Sequence, residues 1–208
     1  MSVPNFSVEG KITIVTGASR GIGNALALGF AEAGAPVALV ARTVSELEET
    51  AERIRAKGGA ALVAAADVTK KDQVEAMVEK VVKEFGRIDV LLNVAGGAGT
   101  RQLKPPLEIT EEFWDELQDR NLKSVFLVNQ AVARVMVEQR SGSIVNISYD
   151  HKAPHLIRSI SVQNNSDTRD VTEALVCDER NISLNRIYEA LVNCNNRKEN
   201  KDVDAETV

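Results

Sequence analysis

Three glycines in the run Thr16-Gly17-Ala18-Ser19-Arg20-Gly21-Ile22-Gly23 stand where a valine-rich apolar segment gives way to one of helical periodicity. Glycine has no Cβ, so backbone N–H groups and the first turn of a helix can approach an anion closely there, and the helix dipole favours the negative charge. The chemistry such a turn serves is the holding of a pyrophosphate, as in a dinucleotide, with Gly17, Ser19, Arg20, Gly21, Ile22 and Gly23 as candidate contacts. The same spacing also occurs in ordinary tight turns. The segments around it have to decide between the two.

The elements that would position this turn alternate strictly. Short apolar runs at Lys11–Thr16, Pro36–Ala41, Ala60–Ala66, Ile88–Asn93 and Ser143–Ile147 predict strands, and longer segments of helical periodicity separate them. The runs are apolar on both faces, as strands of a parallel sheet covered on each side by helices must be. The pattern predicts an α/β fold, a doubly wound parallel sheet with helices on both faces. Between the second and third strands, Ser45 and Glu48 have capping-box spacing, and Gly58 is placed to end that helix in a left-handed turn. In the next helix Thr69 is the expected cap, Val74, Met77, Val78, Val81, Val82 and Phe85 recur on one face, and Gly86 closes it.

With the glycine spacing Gly-x-x-x-Gly-x-Gly, three further segments appear in order: Asp67-Val68 after the third strand, Asn93-Val94-Ala95-Gly96 after the fourth, and Asn121 within Asn121-Leu122-Lys123-Ser124-Val125-Phe126. Together they resemble the pattern of the short-chain dehydrogenase/reductase family, in particular its β-ketoacyl-carrier-protein reductases, over residues 10–148. The resemblance implies a Rossmann-type domain over residues 1–148, with Asp67 and Val68 beside the adenine ring and Asn93, Ala95 and Gly96 shaping the wall next to the nicotinamide ribose. Val94 departs from the second asparagine usual in that segment. By family the chain is an oxidoreductase interconverting a carbonyl and an alcohol, with a small molecule as substrate and Asn121 as one of its catalytic groups.

Which dinucleotide binds depends on charge at the end of the second strand. An enzyme preferring NAD usually places a carboxylate there to accept hydrogen bonds from the ribose 2′-hydroxyl. Here the strand ends Ala41-Arg42-Thr43, with no acid before Glu46, and Arg42 and Arg20 can both reach a 2′-phosphate. The expected cofactor is NADP(H) in preference to NAD(H).

Catalysis is where the resemblance stops. The family lowers the pKa of a tyrosine by means of a lysine one helical turn on, in the pattern Tyr-x-x-x-Lys, because a phenol of pKa about 10 must exchange a proton near neutrality. That tyrosine should fall within residues 155–166, which contain neither tyrosine nor lysine. Tyr149 is followed by Lys152 three residues on, and Tyr188 by Val192 at the fourth place. The catalytic serine is also displaced: Tyr149 stands where it would be, and Ser148, one residue earlier on a strand, turns toward the opposite face. Ser148 and Tyr149 are the candidates left to support Asn121.

Composition shifts at the same point. All thirteen glycines precede Ser148, whereas both histidines and both cysteines follow it. Residues 149–193 read as an atypical tail with short helices at Val171–Glu179 and Ile187–Asn193, and 194–208 as a polar, disordered end. His151, His155, Cys177 and Cys194 could form a metal set, but Pro154 interrupts the helix that would align the histidines and the cysteines lack a paired ligand spacing. No metal is expected. A sheet deprived of its later elements would expose apolar surface, from which homo-oligomerisation or partial disorder would follow. Three readings stay open: an NADPH-dependent carbonyl reductase, a non-catalytic dinucleotide-binding or regulatory subunit, and a truncated or frameshifted product.

Charge and hydropathy bound the partners. A net charge of −5 leaves no basic surface for nucleic acid. No apolar run is long enough for a membrane span, and the opening residues lack the features of a signal peptide. With its two cysteines, the chain is expected to be cytoplasmic.

Overall fold

The computed structural model describes residues 7–97 and 105–148, together with the backbone of 156–157, 159–164 and 177–178. Strands and helices alternate from the start: β1 Thr13–Thr16, α1 Gly21–Glu32, β2 Val37–Val40, α2 Val44–Ala56, β3 Ala61–Val63, α3 Lys71–Phe85 and β4 Val90–Asn93. Then come α4 Glu111–Gln118, a π-helical turn Asp119–Lys123, α5 Ser124–Gln139 and β5 Ser143–Ser148. The five strands pair in parallel in the order β3-β2-β1-β4-β5. All five expected strands are present, most of them trimmed at their ends. The third is the shortest, yet the ladder continues past it: the N–H groups of Ala64 and Ala66 donate to Leu39 and Ala41 carbonyls at 3.0 Å.

Side chains alternate across this sheet with a period of two, and each face has its own core. Ile14, Ala38, Val40, Leu91 and Ile144 point to one side, where they meet Val74, Met77, Val78 and Val81 of α3 and Val128, Val132 and Met136 of α5. Their neighbours Val15, Val37, Leu39, Leu92 and Val145 point to the other, against Leu26, Ala27 and Phe30 of α1 and Leu47, Ala51 and Ile54 of α2. This is why the strands had to be largely apolar: most residues in them are buried against one helix pair or the other. Fully burying side chains of this size stabilises by about 1.5–3 kcal/mol each.

The helix ends follow the sequence on one side and depart from it on the other. Gly58 (φ +83°) and Gly86 (φ +79°) adopt the left-handed conformation just past α2 and α3, and the Gly86 N–H donates to the Val82 carbonyl. The expected N-caps are not made. α2 starts at Val44 with Thr43 as its cap residue, so Ser45 lies inside the first turn and Glu48 pairs instead with Arg55 at 3.3 Å. α3 starts at Lys71, and the Thr69 hydroxyl is already committed, donating to the Asp67 carboxylate at 2.8 Å.

Beyond β5 the described backbone is extended. β7 (Ser159–Asn164) lies antiparallel beside β5, and two short strands, β6 (Leu156–Ile157) and β8 (Cys177–Asp178), pair with each other. Of the helix expected over Val171–Glu179, only Cys177 and Asp178 fall within the described residues, and these two pair with Leu156–Ile157 as a short strand. The second expected tail helix and the polar end at 194–208 lie outside the described residues.

One buried acid fastens the amino end of the sheet. Asp89, at 6% exposure, accepts the Ile12 N–H at 3.0 Å and the Arg87 Nε–H at 2.9 Å, while its own backbone bonds to Ile12 and Ser143. Gln139 clamps the end of α5 to the same place, with its amide paired to both the N–H and the C=O of Ile88. Asp89→Ala removes the acceptor of a buried N–H, and urea denaturation should show a loss of about 2–3 kcal/mol. An unchanged midpoint would mean that the carboxylate carries none of this.

Candidate functional site

The carboxyl ends of β1 to β4, the start of α1 and the end of α4 surround a cavity of about 630 Å³. Its position, at the carboxyl edge of a parallel sheet where connections diverge to both faces, is where α/β folds place their ligands. The volume lies within the range of about 300–1,000 Å³ usual for small-molecule sites.

The turn from β1 into α1 forms its floor. Gly17 has φ +70° and packs so close to the loop after β4 that a Cβ would come within 3.1 Å of the Ala95 backbone. A Cβ on Gly23 would run into the Gly17 carbonyl, so this glycine lets the first turn of α1 fold back on the loop. Gly21 (φ +59°) has open space where a Cβ would stand. No side chain caps α1, and in contrast to α2, α3 and α4 its first turn carries no acid that would compete for its N-terminus. Asn24 braces the turn from behind, donating to the Ala18 carbonyl at 3.3 Å and the Thr50 hydroxyl at 2.7 Å.

Thr16 joins this floor to the facing wall. Its buried hydroxyl accepts the N–H groups of Val94 and Ala95, at 2.9 and 3.0 Å, and donates to Asn93 Oδ1 at 2.8 Å. Asn93 is buried in turn, and its Nδ2 reaches Asn129 of α5 at 3.3 Å and Asn146 of β5 at 3.4 Å. Val94, at the place of the resemblance's second asparagine, contributes only its N–H to this network and packs its side chain against the core on the α1 side.

The remaining wall is charged. Arg20, Arg42, Lys70 and Arg120 line the cavity, as do Glu46, Asp67, Glu116 and Asp119. Asp67 forms a compact turn in which its carboxylate accepts both the N–H (3.0 Å) and the hydroxyl (2.8 Å) of Thr69. Partial burial works to raise its pKa, but the two Thr69 hydrogen bonds, with the charges of Arg42 and Lys70 behind them, prevail and hold it below the usual carboxylate value.

Of the residues expected at the site, Gly17, Ser19, Arg20, Ile22, Gly23, Arg42, Asp67, Val68, Ala95 and Gly96 line the cavity. Gly21 and Asn93 stand behind that lining, one in the first turn of α1 and the other beneath Thr16. Asn121 is exposed on the π-helical turn, where its Oδ1 accepts the Gly97 N–H at 2.5 Å and its Nδ2 donates to the Leu117 carbonyl at 2.9 Å. It thereby ties the helical layer to the loop after β4. Ser148 is the last residue of β5, and Tyr149 lies outside the described residues, as do His151, His155 and Cys194. Sequence reasoning missed Glu116, Asp119 and Arg120. Their i, i+4 spacing was visible, but nothing in it says that the helix end turns toward a cavity.

The fold and this cavity define a dinucleotide-binding α/β domain, and comparison with known proteins gives its family. The family model described as short chain dehydrogenase matches residues 11–153. A 2-dehydro-3-deoxy-D-gluconate 5-dehydrogenase of Escherichia coli is 39% identical over 149 residues, 71% of this chain and 57% of that protein. A 3-oxoacyl-acyl-carrier-protein reductase of Staphylococcus epidermidis is 42% identical over 139 residues, 66% of this chain and 56% of its own. Among solved structures, a short-chain type dehydrogenase/reductase from Mycobacterium marinum matches with a TM-score of 0.64 at 41% identity, covering 68% of this chain and 56% of that one. An NAD+-bound xylitol dehydrogenase matches with the same TM-score at 37% identity, covering 67% and 53%. This chain belongs to the short-chain dehydrogenase family, and it spans little more than half the length of these relatives.

The residues present fit a nicotinamide dinucleotide: an uncapped helix start beside open space at Gly21 for the pyrophosphate, and two arginines at the mouth. The Asp67 turn also predicts an acid response. A carboxylate with a folded pKa below its unfolded value contributes stability that is complete above the unfolded value, near 3.8, and is lost as pH falls through the lower folded value. Chemical denaturation of wild type and Asp67→Asn at several pH values should therefore show a stability gap near neutrality that closes as pH drops below about 3.8. A gap independent of pH would show that the carboxylate charge is not what Thr69 holds.

Proposed function

We propose that this chain binds NADP(H) in preference to NAD(H), as the dinucleotide-binding part of an oxidoreductase of the carbonyl–alcohol type. The observation that carries the preference is the end of β2: Ala41, Arg42 and Thr43 line the cavity with Arg20, and no carboxylate occupies the strand end itself. Glu46 also lines the cavity, but from the first turn of α2, with Arg42 and Thr43 between it and the strand in the chain. Two arginines at that mouth suit a 2′-phosphate, whereas the ribose hydroxyl of NAD would find no acceptor at the strand end.

In this reading the Gly17–Gly23 turn and the α1 N-terminus hold the pyrophosphate, and Asp67 and Val68 border the adenine pocket. Thr16 fixes the Val94–Gly96 wall through two N–H groups, which keeps the nicotinamide end from wandering. The nicotinamide, when bound, supplies or accepts a hydride. Asn121 keeps the π-helical turn against Gly97, so that it orients this end of the site through the backbone.

Turnover is impaired in this proposal, and the chain acts as a dinucleotide-binding or regulatory subunit. Residues 155–166 contain no tyrosine and no lysine, and Ser159–Asn164 run as a strand beside β5 rather than as a helix with those groups one turn apart. Without a lysine beside it, a phenol near pKa 10 exchanges protons slowly at neutral pH.

Fluorescence titration with NADPH and with NADH tests the reading directly. Saturable binding with NADPH preferred is the expected result, and Arg42→Asp should erase about ten- to a hundredfold of that preference, the worth of one charge-assisted contact. Equal relative affinities before and after the change would remove Arg42 from the assignment.

A further inference from the structure

Of the basic side chains that line the cavity, Lys70 and Arg120 are not taken up by the pyrophosphate or the 2′-phosphate, and Arg120 is the one held in an ion pair. Arg120 stands at the end of α4, where the helix widens from α to π geometry, and its carbonyl accepts the Ser124 hydroxyl at 2.6 Å. It pairs with Glu116 one turn earlier at 2.6 Å, and both line the cavity. The Arg120 side chain is only 22% exposed, whereas the other lysines and arginines of the described surface pairs are about half exposed or more. A solvated ion pair at i, i+4 would not be enclosed in this way.

The parts that share the cavity bound what can reach Arg120. A pyrophosphate on the Gly17–Gly23 turn and a 2′-phosphate at Arg42 leave the base of the same nucleotide to extend past the end of β3, along the Asp67–Lys70 turn. Arg120 and Glu116 line the same cavity, from α4 and the turn that follows it. Glu116 neutralises the guanidinium charge and occupies one edge of it, which makes Arg120 a poor third phosphate ligand. The flat face is left, and a planar, weakly hydrated guanidinium stacks well on aromatic rings.

We infer that Arg120 stacks its guanidinium plane on the purine base of the bound dinucleotide, with Glu116 holding that plane in position. The inference rests on the dinucleotide reading of the cavity and adds the residue that recognises the base. It concerns binding, so the test needs no turnover.

The affinities of NADPH and of 2′,5′-ADP, which carries the adenine half alone, are measured by titration calorimetry on the full chain. Arg120→Leu should weaken both by about five- to thirtyfold, the size of a desolvated cation–π contact. Arg120→Lys should restore little, because an ammonium has charge but no plane, and Glu116→Gln should weaken both ligands by a smaller factor with the thermal midpoint nearly unchanged. Full rescue by lysine would overturn the stacking assignment in favour of a contact that needs only the positive charge. Loss confined to NADPH would move Arg120 to the other half of the ligand, and no loss would remove it from the site. If wild type binds neither ligand, the dinucleotide reading itself fails, a result distinct from all of these.

Discussion

Everything at this site depends on a single buried hydroxyl. Thr16 has one proton and two lone pairs, and all three are used: the proton on Asn93, the lone pairs on two successive N–H groups of the loop after β4. These bonds cross between β1 and β4, strands that are adjacent in the sheet and far apart in the chain. They set the distance between the glycine turn and the facing wall, and so the width of the cavity. A valine of the same shape would leave two N–H groups without a partner, at a cost of about 1–3 kcal/mol each if buried. Behind Thr16, the amide of Asn93 carries the connection on to Asn129 and Asn146, so that β5 and α5 also take their place relative to the same atom.

Charge in the cavity is balanced by geometry more than by count. Four cations and four acids line it, yet the acids are engaged in different ways. Asp67 is turned onto Thr69, Asp119 pairs with Lys123 and Glu116 with Arg120, whereas the first turn of α1 carries no acid. The result is a pocket that keeps its positive potential at the floor and mouth, where a doubly anionic linker would lie, without being a generally basic surface. A chain with a net charge of −5 can therefore bind an anion tightly at one place.

The same residue spacing places side chains differently in a helix and in a strand. Two groups spaced four apart meet on one face of a helix but lie far apart along a strand, where the same four residues span about 13 Å. Extended backbone at Ser159–Asn164 completes the hydrogen bonding of β5, and by doing so it occupies the edge where a further parallel strand could add. The sheet thus gains an antiparallel border in place of continued winding.

Much of the fold was legible in the sequence because parallel strands buried on both faces must be apolar at every position, and helices between them must repeat at 3.6. Those two rules give the five strands, the helices between them and the two-sided core without any knowledge of contacts. The glycines could be read too: Gly17 and Gly23 are required by backbone approach, which no other residue permits. The helix starts could not, because the Thr69 hydroxyl and the Glu48 carboxylate each had two partners within reach, and only the folded distances chose Asp67 and Arg55. The same holds for Arg120. Its spacing from Glu116 was plain in the sequence, but whether an ion pair faces water or a ligand depends on how far one helix has turned when it meets a sheet built from residues a hundred positions away. The sequence by itself determined the class of fold and the kind of anion it can hold; the tertiary structure decided which charged groups stand around it, because long-range packing sets their orientation and local spacing does not.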